Sequence, residues 1–323
     1  MKTTLLFLLG VLVVTVALVQ IFALKRDRAA ARSFPPTGQL IEVDGVTVHA
    51  QQMGRGPDLV LLHGASGSTR DFSFAFADLL KDRYRVTLLD RPGLGWTEQI
   101  APAHKQAWST AHASPREQAR LLKAATDQLG VSNPIILGHS FGGIVGYAWA
   151  LEFDDLAGFV SVAGVANPWP GDLGWTYRLN GSAWGGALAV PVLSAFVPQT
   201  YVETTLESIF EPQSAPDGYL AHVGAALSLR RHSLRANARQ VNWLRPYVVE
   251  MSAQYGDVKV PVEIVHGDAD TIVPLAVHSA RVPGQIAGAN LTVLPGVGHM
   301  PQHTNPDDVI AAIDRVAMRA GLR

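Results

Sequence analysis

The segment Gly138-His139-Ser140-Phe141-Gly142 constrains the fold more than any other stretch of this chain. It follows the apolar run Pro134–Leu137 and leads into the helical run Ile144–Leu151, so Ser140 is expected at a sharp turn from strand to helix. Glycines on both sides let the backbone turn tightly, and Gly143 lets the helix pack close beneath. A serine on such a turn presents its hydroxyl at the carboxyl end of a strand. Chance matches to Gly-x-Ser-x-Gly arise in a chain with 30 glycines; the flanking strand and helix set this one apart.

The rest of the chain supplies the sheet that such a turn requires. Leu40–Val43 and Val46–Ala50 flank Asp44-Gly45 as a hairpin, and Leu59–Leu62 is a continuous apolar run suited to a buried parallel strand. Asp71–Leu80 has helical spacing, Arg85–Leu89 is the next strand, and Pro115 opens a helix over Arg116–Leu129. Phe159–Val162, Val262–Val265 and Leu291–Leu294 add strands, and Pro306–Met318 a closing amphipathic helix. The expected fold class is α/β: a doubly wound, mostly parallel sheet whose core spans 39–165 and 249–323. With 323 residues, 48% of them hydrophobic, the chain can bury a core of that size. Between those parts, 166–248 holds four of the seven tryptophans, prolines and helical stretches but no strand run. It is expected to be an inserted helical cap that supplies pocket walls; a packed helical continuation of the core is the plainer alternative.

A serine hydroxyl is a weak nucleophile, so it needs a base, and the base needs a carboxylate to orient it. Gly298-His299-Met300-Pro301 follows the last strand after a Pro-Gly turn, which makes His299 the expected base and His303 the second candidate. Asp268 and Asp270 both stand in the loop after Val262–Val265, and the residues alone leave the choice of acid open. A formal net charge of -1 offers no field for nucleic acid, so a small or neutral ligand is the expected partner, and a serine nucleophile with a base would make it a small, apolar acyl substrate. The absence of cysteine excludes disulfides, thiolate metal sites and a cysteine nucleophile, and says nothing of compartment.

Together these segments resemble the α/β-hydrolase superfamily across essentially all of residues 39–320. The resemblance implies Asp270 as the acid, with Asp268 shaping the loop. It also implies that the backbone N–H groups of Ala65, in His63-Gly64-Ala65-Ser66-Gly67, and of Phe141 form an oxyanion hole. Asp90-Arg91-Pro92-Gly93-Leu94-Gly95 is similar to the family's turn after a strand and is read as structural. Epoxide hydrolases and haloalkane dehalogenases of this fold carry aspartate at the elbow, so Ser140 argues against both. The implied chemistry is hydrolysis through an acyl-enzyme, with no metal or organic cofactor and a carboxylic ester as first expectation. Cleavage of a carbon–carbon bond in a meta-cleavage product, thioester or lactone hydrolysis and cofactor-free perhydrolysis use the same triad. A silent ligand-binding or scaffold protein is the non-enzyme alternative.

The amino terminus adds a second theme. Thr3–Leu24 carries no charge, and at about 1.5 Å per helical residue it covers a bilayer core of roughly 30 Å. Residues 1–24 are therefore expected to be a single transmembrane anchor, with a cleaved signal peptide and export as the alternative. Residues 25–38, with Lys25, Arg26, Arg28, Arg32 and Pro35-Pro36, are expected to be a juxtamembrane linker. The same basic residues favour a cytoplasmic catalytic domain, whereas Lys2 ahead of the apolar run resembles a signal anchor that would send it outside.

Overall fold

A computed structural model describes all 323 residues. Its eight strands are β1 (Gln39–Val43), β2 (Val46–Gly54), β3 (Asp58–Leu62), β4 (Arg85–Leu89), β5 (Ile135–His139), β6 (Gly158–Val162), β7 (Val262–Gly267) and β8 (Asn290–Leu294). They form one sheet in the order β1-β2-β4-β3-β5-β6-β7-β8. β2 runs antiparallel to both neighbours and every other pairing is parallel. The expected fold class is what the chain adopts.

The apolar runs behave as strands covered on both faces. In β3, Val60 and Leu62 point into one core while Leu59 and Leu61 point into the other, the period of two that a strand imposes. The helices Pro115–Gln128 and Phe141–Glu152 cover the first face, and Pro306–Arg319 covers the second. Ser114 and Glu117 form a capping box at the start of the Pro115–Gln128 helix: each side chain accepts the other's backbone N–H, while proline at the first position has no N–H to satisfy.

Chain order creates the crevice. After β3 the chain moves to β4 on one side and then returns to β5 on the other, so the loops that leave β3 and β5 diverge from neighbouring strands. Such a switch point is where doubly wound sheets bind ligands. The loop His63–Thr69 and the turn at Ser140 both lie there.

Between β6 and β7 the chain forms helices joined by loops and turns, with no strand. Its main segments are Trp175–Gly181, Val190–Phe196, Gln199–Ser208, Arg231–Asn242 and Leu244–Ser252. The amino terminus departs from expectation. One helix runs from Lys2 to Ser33, so the stretch expected as a linker is helical for most of its length. The cause lies far away in sequence: Arg26 donates to the carbonyls of Ala195 and Val197, and Asp27 pairs with Arg231 at 2.7 Å, so the insert holds this segment in helical form. The apolar part of the helix is unburied, and it is long and apolar enough to cross a membrane.

Candidate active site

Ser140, between β5 and the helix Phe141–Glu152, has φ 54° and ψ -118°, a conformation that costs a non-glycine residue on the order of 1–3 kcal/mol. Surrounding hydrogen bonds hold it there: its N–H donates to Val162 O at 3.0 Å, and its carbonyl accepts from Gly143 N at 2.9 Å and Val165 N at 3.1 Å. The neighbouring glycines have a steric reason. A Cβ on Gly138 would strike the Gly142 carbonyl, and one on Gly142 would strike the carbonyl of Leu62 in β3.

His299 comes to the same place from the loop after β8. Its Nδ1 lies 2.7 Å from Asp270 Oδ2. Asp270 Oδ1 accepts from the N–H groups of Ile272 at 2.8 Å and Val273 at 2.9 Å, and His266 Nε2 lies 3.1 Å from Oδ2. Burial alone would push the Asp270 carboxyl up. The hydrogen bonds from His266 and His299, the His299 charge and the Val273 amide outweigh it and hold the group well below the usual carboxylate range. An ionised carboxylate only accepts, so His299 Nδ1 is the donor in this pair and Nε2 is the ring nitrogen turned away from Asp270. Ser140 Oγ makes no hydrogen bond to that nitrogen. The serine and the imidazole are linked through His139, whose ring centroid is 4.9 Å from that of His299 and whose Nε2 is 2.9 Å from the His299 carbonyl. Burial, then the His299 charge, pushes His139 down to about 4.

The other candidates are separated from this group. Asp268 Oδ1 accepts the Gly296 N–H at 2.6 Å near the surface and does not reach His299. His303 Nε2 lies 2.8 Å from Asp71 Oδ1, which also accepts from the Tyr219 hydroxyl at 2.7 Å. The N–H groups of Ala65 and Phe141 donate to no acceptor within the chain. Asp90 closes its own turn: it accepts from Thr69 N at 2.6 Å and Trp96 N at 2.8 Å, and pairs with His49 Nδ1 at 2.7 Å.

His266, His139 and Asp71 were not singled out from the sequence. Their one signal is a polar residue inside an otherwise apolar strand or turn, as in Val265-His266-Gly267. That signal says a partner exists without saying which.

The chain belongs to the α/β-hydrolase family, whose sequence model matches residues 59–312. A 2-hydroxy-6-oxononadienedioate/2-hydroxy-6-oxononatrienedioate hydrolase of Escherichia coli O81 (strain ED1a) is 28% identical over 282 residues, 80% of this chain and 87% of that protein. An α/β-hydrolase fold protein from Burkholderia ambifaria superposes with a TM-score of 0.68 at 25% identity, covering 85% of this chain and 96% of that one. A membrane phospholipase A described as a bacterial virulence factor superposes with a TM-score of 0.66 at 21% identity. That likeness of fold covers 98% of this chain and 99% of the other, and so takes in the N-terminal helix.

Proposed function

We propose that this hydrolase cleaves carboxylic esters with an apolar acyl group, with Ser140 as nucleophile, His299 as base and Asp270 as orienting acid. The observation that carries the reading is the 2.7 Å pair of His299 Nδ1 and Asp270, set beside the strained turn that presents Ser140. In the first half-reaction Ser140 Oγ bonds to the ester carbon while its proton passes to His299 Nε2. The carbonyl π electrons move onto oxygen, where the Ala65 and Phe141 N–H groups hold the charge. Collapse of the tetrahedral intermediate breaks the bond to the alcohol, which leaves with the proton from His299. In the second half-reaction His299 takes a proton from water, the hydroxide attacks the acyl carbon, and the acid departs as Ser140 recovers its proton.

The N-terminal helix is proposed to remain as a membrane anchor, with the catalytic domain on the cytoplasmic side. Support for retention comes from residues 20–33, which dock on the insert and would be lost with a signal peptide. Cleavage of a carbon–carbon bond is the competing reading, favoured by the 28% identical E. coli relative.

A fluorophosphonate probe and a panel of p-nitrophenyl esters of graded chain length test the assignment. Labelling and turnover by the wild-type protein, both abolished in S140A, are expected. A folded S140A that keeps more than a few per cent of turnover removes Ser140 from the mechanism. A wild-type protein that neither labels nor turns over is a binding or scaffold protein. Fractionation with membranes and resistance to protease added to intact cells are expected for the anchored, cytoplasmic form.

A further inference from the structure

Arg91 is fully buried, and none of its hydrogen bonds ends on a carboxylate. Its Nε donates to the His63 carbonyl at 3.0 Å, Nη1 to the side-chain oxygens of Gln118 at 2.9 Å and Gln240 at 3.1 Å, and Nη2 to the Gly64 carbonyl at 3.0 Å. Asp90, next to it in sequence, has its carboxylate taken up by His49, Thr69 and Trp96. Burial lowers the Arg91 pKa only to about 9, so the guanidinium is charged at neutral pH. A buried cation without an anion is costly, and such groups are normally paired.

The carbonyl it holds belongs to the peptide that carries the Ala65 N–H. The backbone N–H of Arg91 donates to His63 Nε2 at 2.9 Å, which puts the His63 proton on Nδ1, and Nδ1 donates to the same Gly64 oxygen at 2.9 Å. Gly67 N adds a third donor at 3.3 Å. Every donor on that oxygen draws electron density through the amide and leaves the Ala65 hydrogen more positive, because hydrogen bonds in series strengthen one another. The guanidinium carbon also lies 4.1 Å from the centre of the Phe141 ring, so the same cation braces the residue that offers the second free N–H.

We infer that Arg91 is a positioning residue of the oxyanion hole, whose charge polarises the Gly64–Ala65 peptide and strengthens the Ala65 N–H as an anion donor. The inference rests on the reading of Ala65 and Phe141 as the oxyanion donors. The counter-charge to Arg91 is the oxyanion itself, present only while the ester carbon is tetrahedral. The cation therefore acts on the transition state and leaves ground-state binding nearly unchanged.

A peptidyl or alkyl trifluoromethyl ketone, carbon-13 labelled at the carbonyl, tests this on the full-length protein in detergent. Addition of Ser140 Oγ gives a hemiketal whose oxyanion titrates, and the carbon-13 shift followed against pH reads its pKa directly. R91Q is expected to raise that pKa by about one unit and to lower kcat by about tenfold, with KM near the wild-type value. R91K keeps the charge and is expected to move the hemiketal pKa by less than half as much, whereas R91M, neutral and of similar length, is expected to shift it as R91Q does and takes its place, with the same overturning result, if R91Q does not fold. A folded R91Q with an unchanged hemiketal pKa overturns the inference. So does an R91K that shifts it by one unit or more. If the wild-type protein forms no hemiketal, the assignment of Ser140 fails first and the role of Arg91 falls with it.

Discussion

Asn237, on the insert helix Arg231–Asn242, accepts the backbone N–H of Ser66 at 2.7 Å. Ser228, also in the insert, donates to the carbonyl of the same residue. Ser66 has φ 55°, so a strained residue next to Ala65 has both its backbone polar groups held by the insert. The segment between β6 and β7 thus holds the residue next to Ala65 on both its backbone groups, and through it the direction of the Ala65 N–H.

N237L should therefore cost about 1–3 kcal/mol of stability, the penalty for leaving the Ser66 N–H without its partner. It should also lower kcat about tenfold through misplacement of Ala65, with little change in KM. Thermal melts and p-nitrophenyl ester kinetics check both. A variant that is less stable but turns over at the wild-type rate would show that the loop keeps its shape without the insert.

The two aspartates after β7 should separate cleanly. D270N leaves the geometry but offers His299 the wrong partner, and kcat should fall by roughly 10⁴. D268N touches only the Gly296 amide near the surface and should cost about 1 kcal/mol or less, with kcat unchanged. Paired kinetics of the two variants decide the matter, and a D268N that loses activity as D270N does would reverse the assignment.

The contrast between these two residues shows what a sequence carries. The apolar runs that became β3, β5 and β7, and the turn at Ser140, are local patterns written in contiguous residues. The sheet and its switch point follow from them. The preference for Asp270 over Asp268 came only through family resemblance, because both carboxylates follow the same strand and differ in a loop fold that composition does not encode. Arg91, His266 and Asp71 escaped for a related reason. Their partners lie far apart in the chain, as with Arg91 and Gln240, and a motif reports residue types without their partners. The extension of the first helix to Ser33 was hidden in the same way, since the groups that dock it sit near residues 195 and 231.

Acid should destabilise the protein well before its carboxylates titrate. Burial pushes His63, His139 and His278 down to about 4 from 6.5. Between those values the unfolded chain binds protons that the folded chain refuses, so stability is complete above about pH 6.5 and is lost as pH falls toward 4. Asp71 and Asp270, both held below the usual carboxylate range, add further loss at lower pH. Chemical denaturation at pH 7.5 and pH 5 should show a clear drop, on the order of 1.4 kcal/mol per pH unit for each proton taken up on unfolding. Equal stability at the two values would mean that these rings titrate normally.

The N-terminal helix has two parts with different tasks, and the boundary between them can be tested by where the chain is cut. Its first part is apolar and unburied. From Gln20 onward it is fastened to the insert: Gln20 Oε1 accepts from Arg231 Nη1 at 2.9 Å, and Asp27 accepts from Arg231 Nε at 2.7 Å. Asp27 also accepts the Arg231 N–H at 3.1 Å, which caps the helix that carries Asn237 and places a negative charge at its positive end. A chain that starts near Ser33 should be freed from membranes, yet it should melt at a lower temperature and turn over more slowly, because Arg231 has lost its carboxylate. A chain that starts at Gln20 keeps these contacts while dropping most of the apolar run, and should match the full-length kcat within about twofold. D27N in the full-length protein should reproduce part of the loss, about 1–3 kcal/mol, without affecting membrane attachment. Melting curves and ester kinetics of the three variants decide it. If the chains starting at Gln20 and at Ser33 are equally stable and equally active, the docking of Asp27 on Arg231 has no bearing on the site.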